Sequence, residues 1–115
     1  MNFPSMLYIP VPTGEGNTTY SVCARGSLIR EPKVGHTLTF CGLPCDVDCH
    51  GLALEMDMVE EDLSDKFLFV RFKQIDLAAT KLIVEPEVLA EQISAYLSSN
   101  GWQPCDDSGR YLDAA

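Results

Sequence analysis

No apolar run in this chain extends beyond four or five residues, Phe67 to Val70 being typical, so no segment approaches the roughly 20 residues that span a bilayer as a helix. The opening MNFPSMLYIPVP has no basic stretch, and prolines interrupt its apolar residues, so it does not read as a secretory leader. Both absences point to a cytoplasmic protein. The Gly-Lys-Ser/Thr ending of a phosphate-binding loop is missing after PTGEGN, at Pro12 to Asn17, which is left as a turn. HExxH, a nucleophile elbow and the dinucleotide-binding glycine fingerprint are also missing. Most informative is a missing charge: residues 41–65 contain no Lys or Arg at all.

What is present is one domain's length, 115 residues with 46% hydrophobic content, sufficient for a core without metal or disulfide staples. The whole chain, 1–115, reads as a single domain, with no repeat and no linker. Its net charge of −9 is concentrated. Residues 1–40 carry +1 and residues 66–115 carry −2, whereas 41–65 carry −8 from Asp46, Asp48, Glu55, Asp57, Glu60, Glu61, Asp62 and Asp65. Such a field repels phosphate backbones and complements a basic protein, so direct nucleic-acid binding is not expected.

Strand-like alternation recurs along the first two thirds of the chain. Met6 to Val11 reads as an edge strand, because Pro10 cannot donate to a ladder. Thr18 to Ile29 puts Tyr20, Val22, Ala24 and Leu28 on one face, with Gly26 marking a bend or bulge. His36 to Cys41 forms the next strand, with His36 partly buried beside Leu38 and Phe40. A three-residue turn, Gly42-Leu43-Pro44, then returns the chain as a strand from Cys45 to Met58. A bulge at His50-Gly51 would keep Cys45, Val47, Cys49, Leu52, Leu54, Met56 and Met58 on one face. Asp46, Asp48, Glu55 and Asp57 would then share the solvated face.

Lys66 to Lys73 is apolar on both faces and reads as a central strand. Short strands are expected at Lys81 to Val84 and at Arg110 to Leu112. The spacing of Val88, Leu89, Ile93, Tyr96 and Leu97 predicts a helix over Pro86 to Ser99. Glu85 stands at its N-cap, and Asn100-Gly101 and Trp102 supply a Schellman ending. The fold expected is α+β: a bent antiparallel sheet or small open β-barrel of five to six strands, covered by one C-terminal helix.

Cys41, Cys45, Cys49 and His50 are the one group that invites a metal, yet their spacing matches neither zinc knuckles nor cluster-binding motifs. Strand residues four apart are ~13 Å from each other, whereas thiolates on one zinc ion lie within about 4 Å of each other. Cys41 and Cys45 alone could meet across the turn, with His36 or Cys105 completing a set, or they could oxidise. A thiol mechanism fares no better, since acidic surroundings raise a thiol pKa. The sequence therefore points away from an enzyme, and no cofactor is expected. Charge and size suggest a small binding or inhibitory protein, as immunity proteins that neutralise toxins are, using the acids of 46–65 against a basic protein. The alternative is a metal- or thiol-dependent module at Cys41, Cys45, Cys49 and His50.

Overall fold

A computed structural model describes residues 2–13, 19–62, 66–77, 79–80 and 82–112. Among these described residues six strands and one helix follow in the order β1 (Phe3–Pro12), β2 (Thr19–Leu28), β3 (Thr37–Phe40), β4 (Leu52–Asp62), β5 (Phe67–Phe72), α1 (Pro86–Ser99) and β6 (Gln103–Pro104). The strands form one curved sheet ordered β3-β4-β5-β1-β2-β6, a half-barrel capped by α1. The expected class holds, with one change: β1 and β5 run parallel, Ser5 to Tyr8 against Leu68 to Arg71, so the sheet is mixed. Among the described residues no helix is long and apolar enough to cross a membrane.

β1 is not an edge strand but lies between β5 and β2. Its prolines are tolerated for a geometric reason. The Cys23 carbonyl accepts from the Cys105 N–H at 3.1 Å, so odd-numbered β2 residues turn their backbone groups toward β6. The even-numbered ones then face β1, where their partners are the odd residues Leu7, Ile9 and Val11. Pro4, Pro10 and Pro12 are all even, and all lie outside the Ser5 to Tyr8 ladder with β5, so no ladder donor is lost.

The concave side holds the main core, in which Leu7, Ile9 and Val11 meet Val22, Val70, Phe72 and the buried stripe Leu89, Ile93 and Leu97 of α1. Each such side chain contributes about 1.5–3 kcal/mol by leaving water. Curvature brings the far edge back to the helix, since Phe40 of β3 packs edge-on against Tyr96 with ring centroids 5.1 Å apart. The helix ends as expected: Trp102 N–H donates to the Leu97 carbonyl and Gly101 N–H to that of Ser98, with Gly101 at φ +89°. At the other end Glu85 is the N-cap residue but makes no side-chain cap bond.

On the convex side Met6, Cys23, Phe67 and Cys105 form a second buried cluster, flanked by Tyr8 and Phe69. β5 is thus apolar on both faces because both are covered, the convex one by the chain after β6. Gly26 is not a bulge. It pairs regularly with Ser5, and a Cβ there would stand 2.6 Å from the Trp102 ring. His36 is exposed rather than partly buried. Leu82 to Glu85 is not a strand, and Lys81 lies outside the described residues. Tyr111 makes one antiparallel bridge to Cys105, which is what remains of the expected last strand. Residues 14–17 of the turn expected at Pro12 to Asn17 lie outside the described residues.

Candidate partner-binding surface

The segment between β3 and β4 decides which acids face outward, and here the structure corrects the sequence reading. Residues 41–51 are a loop, not a tight turn followed by a strand, and β4 starts only at Leu52. Leu43 drops into the main core. The Cys45 N–H donates to Gln92 Oε1 of α1 at 2.9 Å, fastening the loop to the helix. Asp46 is 4% exposed. Its carboxylate accepts from the backbone N–H of His50 at 3.0 Å and of Gly51 at 2.8 Å. Its own N–H donates to the Leu43 carbonyl, and its carbonyl accepts from Cys49. Asp46 is therefore the hub of a turn and not a member of a solvated face.

The same loop dissolves the expected side-chain alternation. Val47 is 85% exposed instead of facing the core. Cys41 and Cys49 are exposed, Cys45 is half-buried, and Cys49 takes a left-handed φ of 54°. Burial pushes the Cys45 thiol up from its ordinary value, against an opposing backbone hydrogen bond. No bulge occurs at His50-Gly51. The irregularity falls between Met56 and Met58, where Asp57 is the extra residue. It preserves Leu52, Leu54 and Met56 as core residues, then turns Val59 inward opposite Val70 in place of Met58.

The acids of β4 divide into two groups. Asp57 accepts from Arg71 Nε at 2.9 Å, and Glu55 pairs with Lys73 at 2.6 Å. The hydrogen bond and charge of Asp57 raise the Arg71 pKa, and those of Glu55 raise that of Lys73. Both pairs bridge β4 and β5, so neither carboxylate is free for a partner without competing with its cation. Glu60 and Glu61 follow, exposed and opposite Phe69 and Leu68, with no ion pair among the described residues. Asp62 ends the strand, and Asp65 lies outside the described residues. Asp48 is exposed in the loop, 3.8 Å from His50 Nε2.

The metal alternative at Cys41, Cys45, Cys49 and His50 is not assembled: among the described residues no three His, Cys, Asp or Glu side chains converge to hold an ion. Two features went unread in the sequence. One is the buried cap by Asp46, for which an acid four and five residues before His50 and Gly51 is the available signal. The other is the pairing of Cys23 with Cys105, which links residues 82 positions apart and leaves no local pattern. No protein-family model, curated protein or solved structure matches this chain.

Proposed function

We propose that the protein acts by binding rather than by turnover, as a small acidic inhibitory protein of the immunity type that offers carboxylates of β4 to a basic protein partner in the cytoplasm. The observation that carries this reading is the exposure of Glu60, on the convex face opposite Phe69, and of Glu61, which the strand turns to the other face opposite Leu68. They stand at the end of a strand in a segment without a single basic residue, in a chain of net charge −9. Asp57 and Glu55 flank them as a reserve, each held by one exposed cation that a partner's Arg or Lys could displace. Asp46 drops out of the surface because its oxygens are committed to the loop.

The test is capture from native extract at two ionic strengths with three proteins: wild type, Glu60→Lys with Glu61→Lys, and Arg71→Met with Lys73→Met. A basic protein retained by the wild type, released by salt, lost with the reversed charges and held more tightly when the two cations are removed fits the reading. Retention that ignores both salt and charge reversal overturns it.

A further inference from the structure

Cys23 and Cys105 face each other across the β2–β6 ladder: the register pairs Ala24 with Pro104, and the next pair is joined by the Cys105 N–H to Cys23 carbonyl bond of 3.1 Å. Facing residues of an antiparallel pair have Cα atoms about 4.5–5.5 Å apart, inside the roughly 4.4–6.8 Å range that a disulfide bridges. Both side chains lie on the convex face in one buried cluster with Met6 and Phe67. Both residues also border a cleft of ≈ 340 Å³ at the open edge between β2, α1 and the chain end.

We propose that Cys23 and Cys105 are an oxidisable dithiol, converted by a small-molecule disulfide such as oxidised glutathione into a cross-strand disulfide that clips the C-terminal segment onto the sheet. The Cys105 thiolate attacks the glutathione disulfide, forming a mixed disulfide and releasing one glutathione thiol. Cys23 then attacks the Cys105 sulfur, and the second glutathione leaves as a thiol with the second proton. The two cysteines are oxidised together, and one glutathione disulfide is reduced to two thiols.

The Arg25 charge favours Cys105 as the first attacker. Arg25 donates Nη1 to the Gly109 carbonyl at 3.1 Å. Its guanidinium is held over Phe67 at 4.5 Å and Tyr111 at 5.0 Å. Burial pushes both thiols up, but the Arg25 charge pulls Cys105 back, whereas Cys23 is pushed up to about 12 by burial and by neighbouring Cys105, Asp107 and Asp106. Cys105 is thus the attacking thiol. In a reducing cytoplasm the pair stays a dithiol until the redox poise rises.

The experiment uses the full chain with Cys41→Ser, Cys45→Ser and Cys49→Ser, equilibrated in graded ratios of oxidised to reduced glutathione. Expected are loss of both remaining thiols in one step and a non-reduced peptide linking Cys23 to Cys105. A melting temperature raised on the order of 10 °C over the reduced form should accompany them, as closure of so long a loop implies. Two thiols that stay titratable, or a glutathione adduct that persists on either cysteine, overturn the proposal. Should the triple variant not fold, the same peptide map on the wild type decides: a dominant link between Cys23 and Cys105 supports the pair, and links confined to the loop cysteines sink it.

Discussion

Replacing Asp46 by alanine removes a carboxylate that is almost wholly buried and accepts two backbone hydrogen bonds, from His50 at 3.0 Å and Gly51 at 2.8 Å. A hydrogen bond to a charged group contributes about 1.5–3 kcal/mol, and a stranded buried donor adds a desolvation penalty. Both donors here are only part-buried, so water recovers some of this. The net cost is set at roughly 2–4 kcal/mol, a large fraction of the ~5–15 kcal/mol total of a typical domain. For a chain of this length that corresponds to a drop of melting temperature on the order of 10 °C. Urea unfolding followed by the fluorescence of Trp102, the single tryptophan, measures it directly.

Two controls sharpen the reasoning. Asp46→Asn keeps one acceptor but turns an N–H toward one of the two backbone donors, so its cost should be intermediate. Asp48→Ala, whose side chain is 81% exposed, should stay within about 0.5 kcal/mol of wild type. If Asp46→Ala and Asp48→Ala are equally mild, the carboxylate is not the hub of the loop.

Gly26→Ala drives a Cβ to 2.6 Å from the Trp102 ring. It should cost about 1–3 kcal/mol and shift the Trp102 emission, whereas the same change at Ser27, on the exposed edge of β2, should do neither. The Asp106 carboxylate takes the N–H and hydroxyl of Ser108 and the N–H of Arg110. The Ser108 hydroxyl bond, then the backbone bond from Arg110, lower its pKa below the ordinary 3.8. A lowered carboxyl favours the folded turn at pH above its unfolded value and loses that support as pH falls through the folded one. The protection factors of the Ser108 and Arg110 amides, exchange rates relative to the intrinsic rate at each pH, should therefore be constant above about pH 5 and fall only in stronger acid. Protection that is already absent at neutral pH contradicts the turn.

Elements whose residues answer to one strong local rule were legible. α1 announced itself by its stripe, by Pro86 and by Gly101-Trp102: Leu89, Ile93 and Leu97 are buried, Pro86 opens the helix and the Trp102 N–H closes it, whereas Val88 of the expected stripe is exposed. β5 read as central because Phe67 and Phe69 alternate with Leu68, Val70 and Phe72. Position in the sheet was less legible. Pro10 argues for an edge only if its backbone faces a ladder, and that depends on which strand pairs on which side, a tertiary fact. Gly26 misled in the same way, since its missing side chain answers to Trp102 far along the chain and not to its own strand.

Residues 41–51 show where parity reasoning fails. Alternation assigns every residue to one of two faces, so it has no place for a side chain that turns back on its own backbone. Asp46 does this, and its two bonds to His50 and Gly51 replace the ladder partners that a strand would have supplied. Once the loop is capped from within, Val47 and Cys49 have no core to enter, and Leu43 takes the buried place instead. The acidic surface contracts for the same reason: Asp46 is spent on the loop, and Glu55 and Asp57 on cross-strand cations. Glu60 and Glu61 stay exposed, with no ion pair among the described residues.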